Sequence, residues 1–245
     1  MRKRFGGDFV NDCYGKNRYI PIEPDLRDAI ARGIYLSYEH VTSKISAVKY
    51  ALPEPNEGLE KLVGTELQAL ARVDPVRVLY NALVPFAVAA IEHFFSQSFK
   101  ILLIYDDQAQ EHLRQQSRKI GVQDVLSIRD GKRTIEDVVT GWYSFQNIAS
   151  IHAAFNEWFG IDFWSLIRRR KRIGKRIPFL EQRLNQIIEF RHGLVHRFEV
   201  DLELRRQDLE QILGLVVALI DIFVDELEKR RGIPIRDLPP KNRSM

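Results

Sequence analysis

Arg191 and His196 stand five positions apart in the run I-I-E-F-R-H-G-L-V-H-R-F, residues 187 to 198, with His192 directly after the arginine. Arginine is a permanent cation that grips a phosphate through two parallel hydrogen bonds. Histidine gives or takes a proton near neutral pH. Set together in a cleft, these residue types are parts of a site that cuts a phosphodiester without a metal. The bare spacing is weak evidence in a chain with 37 lysines and arginines, and its alternative is a basic helix end at the surface. His192 and His196 are also four apart, so a straight helix would offer both to a metal ion. No third ligand stands at motif spacing, and neither a metal nor another cofactor is expected.

Just upstream, Arg168, Arg169, Arg170, Lys171, Arg172, Lys175 and Arg176 put seven basic residues into nine positions. Such a like-charge block reads either as a solvated loop or as a set of contacts to RNA phosphates. The sequence leaves both open, and the block is the candidate RNA-binding segment because it adjoins the Arg/His run.

The elements that must position these residues are helices. Pro178 opens one that carries Leu180, Leu184, Ile187 and Ile188 into Arg191. An unbroken helix would hold side chains five residues apart about 140° from one another. Loosening at Gly193 is therefore expected to bring Arg191 and His196 together. After a link at 201–205, a helix over 206–230 shows a broad apolar face from Leu209 to Leu227, with Gly232 as its cap. Upstream, residues 76–104 are apolar nearly all round, which predicts a central helix; Pro85 lies inside it, and Glu92 and His93 are its polar interruptions. A polar helix over 107–120, a connector over 121–132 and an aromatic-rich helix over 134–159 follow, the last ended by Gly160. Its Trp142, Phe145, Ile148, Ile151, Phe155 and Trp158 share one side and read as core. Near the N-terminus a helix from Pro24-Asp25 stops at Pro53 and Pro55, and a second opens at about Glu57. No alternating run of weight suggests a strand. The expected fold is all-α: a helical bundle over 74–232, an arm and helical extension over 1–73, and a flexible tail over 233–245.

Composition sets outer bounds. Hydrophobic residues make up 45% of the 245, enough for a sizeable core. A net charge of +4 and a pI near 9.1 fit an RNA partner without proving one. Cys13 is the single cysteine, which leaves no disulfide framework and fits a cytoplasmic, reducing location. The N-terminal charges have no apolar run behind them, so no signal peptide is expected. The longest apolar stretches read as too short or too broken by charge to span a bilayer, so no membrane association is expected.

Taken with the Arg/His run, this order of elements resembles the HEPN superfamily, and most of all its RiboL-PSP-HEPN branch, over roughly residues 75 to 230. The family motif is an arginine, a polar residue, three further positions and a histidine, matched here by Arg191, His192, Gly193-Leu194-Val195 and His196. The resemblance implies a HEPN-type bundle that forms a homodimer, with two motifs facing across one cleft. Active members are metal-independent endoribonucleases, often toxins or defence effectors, and an antitoxin or inhibitor protein is then a further partner. By the resemblance Arg191 would bind the scissile phosphate, His196 would act as general base or acid, and His192 would assist. The products would be a 2′,3′-cyclic phosphate and a 5′-hydroxyl. The family also holds non-catalytic modules that bind RNA, a nucleotide or a partner protein, which is the alternative reading. One departure stands out. A toxin subgroup has a tyrosine two residues after the histidine, whose hydroxyl its antitoxin modifies with AMP. Phe198 stands there in this chain and has no hydroxyl, which excludes that control.

Overall fold

Apolar residues recur along this chain at helical rather than alternating spacing, and the backbone follows them. The structure, a computed structural model, describes residues 26–53, 75–168 and 179–236. Among them are nine α-helices, one π-helical turn and no strand. The expected arm, Cys13, the second helix near Glu57 and six of the seven basic-block residues lie outside the described residues.

The central element is α2, Pro75–Tyr105, which runs through Pro85 without ending. It buries Val84, Ala87, Ile91, Phe94, Phe95, Phe99 and Leu102. Helix α1, Leu26–Ala51, lies along it and places Ile30, Ala31, Ile34, Val41 and Ile45 in the same core. Its Tyr38 hydroxyl donates to Asp221 at 3.1 Å. One expectation is corrected at α2. Val76–Tyr105 is long and apolar enough, by length and composition, to cross a membrane. Half of its most apolar window is buried inside the bundle, which the central helix of a helical core also requires.

Three departures from the expected helices follow. The polar helix α3, Asp107–Arg114, is shorter than expected, and residues 122–129 of the expected connector form α4, Val122–Arg129. No residue of α4 is buried, so apolar periodicity left no trace of it. The expected long aromatic helix is two helices, α5, Ile135–Thr140, and α6, Ile148–Phe159. Local caps win over the continuing periodicity. Thr134 and Asp137 form a reciprocal capping box at α5, and the Asn147 side chain accepts from Ser150 N at the start of α6. The intervening turn is closed by side chains. Tyr143 donates to Glu157 at 2.5 Å and accepts from Trp158 Nε1 at 2.8 Å, and Arg118 lies 5.1 Å over the Trp142 ring. Burial, with the Glu157 carboxylate beside it, pushes the Tyr143 hydroxyl up to about 12.

The expected stops at Gly160 and Gly232 are found, both in left-handed conformation at φ 61° and 62°. A short helix α7, Phe163–Ile167, follows Gly160 and was not signalled by periodicity. Helices α8, Leu180–His192, and α9, Arg206–Arg231, agree closely with expectation. The flexible tail expected from residue 233 is corrected over its first residues: Ile235 is buried, and the amides of Ile235 and Arg236 donate to Glu228. Residues 237–245 lie outside the described residues.

One buried ion pair ties α2 to α5. Lys100 Nζ lies 2.6 Å from Asp137 Oδ1, and the two side chains are 4% and 20% exposed. Burial alone would raise the Asp137 carboxyl. The Lys100 ammonium and the Thr134 amide and hydroxyl outweigh it and hold the carboxyl below its ordinary value. The folded carboxyl thus binds its proton later than the unfolded one. Its stabilisation is present above the ordinary value of 3.8 and is lost as pH falls below it. Asp137→Asn should cost about 1.5–3 kcal/mol near neutral pH. Urea midpoints of parent and variant should converge as the buffer is taken below 3.8; a gap that persists there would count against the pair.

Candidate active site

The Arg/His run sits where α8 ends. Leu184 and Ile187 anchor α8 in the core, which fixes the direction of its last turn. Arg191 and His192 lie in that turn, Arg191 half-buried and His192 exposed. The helix loosens from Gly193 on, as expected, although the glycine itself stays in the helical region. It keeps right-handed helical angles, φ −56° and ψ −50°. The ladder widens into a π-helical turn, Gly193–Arg197, in which the amide of Phe198 donates to the Gly193 carbonyl. Single π turns of this kind are frequent at functional sites.

This geometry brings the His192 and His196 rings together, with centroids 4.6 Å apart and planes tilted by 46°. Both imidazoles are exposed. Among the described residues no carboxylate pairs with Arg191, whereas the nearby Arg197 is paired. Arg197 Nε and one terminal nitrogen meet the two Glu199 oxygens at 2.7 and 3.0 Å, and Glu189 lies 3.4 Å away. Arg197, and His192 more weakly, hold the Glu199 carboxyl below its ordinary range. The two cations of this segment therefore differ: no carboxylate meets Arg191 among the described residues, and Arg197 is paired with Glu199 and Glu189.

Gly193 leaves its side-chain space to the ends of two exposed side chains. A Cβ there would lie 2.6 Å from Glu199 Oε2 and 3.3 Å from the Arg197 guanidinium. The missing side chain is the space that the Arg197–Glu199 fork occupies. Beyond the turn, the link is tied to α2. Asn81, 2% exposed, gives its Nδ2 to the Asp201 carbonyl at 2.8 Å and takes the Asp201 amide at 2.9 Å, and Arg77 donates to the Leu202 carbonyl.

Of the basic block only Arg168 is described, and it pairs with Glu181 at 3.2 Å in the first turn of α8. Arg169, Arg170, Lys171, Arg172, Lys175 and Arg176 lie outside the described residues. Elsewhere Glu92 accepts from Gln146 at 3.3 Å, and the His93 ring lies 5.4 Å from that of His40. Among the described residues no group of three or more His, Cys, Asp and Glu side chains is placed to hold a metal ion, so His192 and His196 find no third donor there.

Sequence reasoning missed Asn81, Arg197 and Glu199. Asn81 had a usable signal, since an amide inside the apolar run V-L-Y-N-A-L-V must find partners if buried. The Arg197–Glu199 fork had none, because an arginine two residues from a glutamate is common on any surface. No protein-family model, no curated protein and no solved structure matches this chain.

Proposed function

We propose that this chain is a metal-independent endoribonuclease of the HEPN type. The observation that carries the reading is the packing of His192, next after Arg191 at the end of α8, against His196 on the π turn that follows. An imidazole pair beside an uncompensated guanidinium supplies a proton acceptor, a proton donor and an anion grip. In the proposed reaction one imidazole takes the 2′-hydroxyl proton as O2′ attacks phosphorus. The O2′–P bond forms and the P–O5′ bond breaks. A second imidazole gives its proton to O5′, and Arg191 holds the non-bridging oxygens as their charge grows. The products are a 2′,3′-cyclic phosphate and a 5′-hydroxyl.

The site lies on an open surface, and the reading assigns its cover to a second copy of the chain. Val195, Val200 and Leu202 are 39–43% exposed around the turn. Val78 and Leu79, 44% and 43% exposed, lie in the α2 segment whose Arg77 and Asn81 hold that link. Two motifs facing each other would bring two Arg191 and four imidazoles into one cleft. RNA is the partner that this set fits.

The test is cleavage of mixed RNA by purified protein in excess EDTA, with end-group analysis of the products. Cutting that survives EDTA and leaves cyclic phosphate ends is the expected result. RNA with 2′-O-methyl groups should bind and stay intact, because it lacks the nucleophile. Cleavage that appears only with added metal, or on the methylated RNA, would overturn the mechanism. Binding without cutting would turn the reading toward a non-catalytic RNA-binding module.

A further inference from the structure

Phe198 is the one non-glycine residue with positive φ among those described, at φ 55° and ψ 32°. Left-handed geometry costs an L-residue about 1–2 kcal/mol, and a bulky aromatic is an unusual occupant. The ring gains nothing from the fold in return. It is 87% exposed, with no ring partner among the described residues.

The backbone around it is nonetheless tightly held. The amides of Phe198 and Glu199 both donate to the Gly193 carbonyl, the latter at 3.2 Å. The side chains on either side, Arg197 and Glu199, join in a two-point fork, and the fork folds back over Gly193. Joining the two flanking side chains on one side leaves the residue between them to project away. The local structure therefore presents one aromatic face to solvent, two residues after His196.

We propose that Phe198 is a stacking platform for an unpaired nucleobase of bound RNA, beside the phosphate gripped by Arg191. This rests on the ribonuclease reading and extends it to the substrate: single-stranded RNA, held with little base preference. Proteins that read single strands combine cations along the backbone with exposed aromatic faces, and every base has a face to stack. The chain neighbours of Phe198 favour a base over a second copy of the protein. The buried centre of a protein interface is depleted in charge. Phe198 stands in sequence between Arg197 and Glu199, two residues after His196. That is the setting of a ring that works alongside phosphate contacts.

The experiment measures binding of a fluorescent 2′-O-methyl oligoribonucleotide by anisotropy, for the parent and for Phe198→Ala, Phe198→Leu and Phe198→Trp. Loss of one stack is expected to weaken binding by about five- to a hundred-fold in the Ala variant. Leu should lose nearly as much, since it is apolar without a π face, and Trp should bind at least as well as the parent. On a ribose-phosphate oligomer of the same length without bases, parent and Ala variant should bind alike. Equal binding of the normal oligomer by parent and Ala variant would overturn the proposal. So would an equal loss on the baseless oligomer. A particle mass that halves in the Ala variant would overturn it as well and make Phe198 a subunit contact. A parent that neither binds nor cuts RNA would instead defeat the ribonuclease reading, and the platform with it.

Discussion

His196→Ala should lower RNA cleavage in EDTA by about two to four orders of magnitude, the usual worth of a positioned acid or base. Arg191→Ala should lower it by about two to three orders, as for loss of a donor aimed at developing negative charge. Neither loss should come from unfolding. His196 is exposed and Arg191 half-buried, and neither belongs to the apolar core. Circular dichroism and particle mass should match the parent. Lysine is a poor substitute for Arg191, because a point charge cannot form the parallel pair of bonds a guanidinium makes with a phosphate. Arg191→Lys should therefore stay well below the parent, although net charge is kept. The rate of the parent should pass through a maximum as pH is varied, with one group needed neutral and another protonated. Removing one imidazole should flatten one limb. If His196→Ala and Arg191→Ala both cut like the parent, the assignment of the site is wrong. His192 is the finer test. Its ring packs on that of His196, so His192→Phe can keep the packing and remove the proton chemistry. An assisting role predicts a smaller loss there than at His196.

The sequence shows the large helices well and the small ones poorly, for a physical reason. Helices α2, α8 and α9 bury continuous apolar faces, and that pattern is written at every third or fourth position. Helix α4 buries nothing and leaves no such pattern. The break between α5 and α6 is invisible to periodicity because Phe145 stays buried across it. Its real signals are polar: Thr134 with Asp137, and Asn147 before Ser150. At the site, residue types were legible and conformation was not. The helix does loosen from Gly193, but by widening into a π turn while the glycine holds helical angles and leaves its side-chain space to Glu199. What meets at the turn is His192 with His196, a pair whose four-residue spacing was already legible as one helix face. A widened turn depends on which amide reaches which carbonyl, and no residue pattern encodes that choice.

Phe95→Ala should produce the largest loss of stability, about 3–5 kcal/mol. The ring is fully buried at the centre of the aromatic core. Its centroid lies 5.2 Å from Phe94, 5.8 Å from Phe155, 5.2 Å from Phe163 and 5.0 Å from Phe223, all in edge-on arrangements. Those partners come from α2, α6, α7 and α9, so the cavity left by alanine opens at the junction of four elements, where no single neighbour can close it. A domain is typically stable by only about 5–15 kcal/mol, so the variant should approach half-unfolding at moderate temperature. Urea or thermal melts read this directly, and a loss under about 1 kcal/mol would mean that the core repacks around the gap. Cleavage then separates scaffold from chemistry. Below its melting range Phe95→Ala should cut in proportion to the folded fraction. His196→Ala should melt like the parent and lose about two to four orders of magnitude of its cutting. If the core variant stays folded and still loses its cutting, the aromatic junction must set the placement of α8 against α2 and α9, and with it the reach of Arg191.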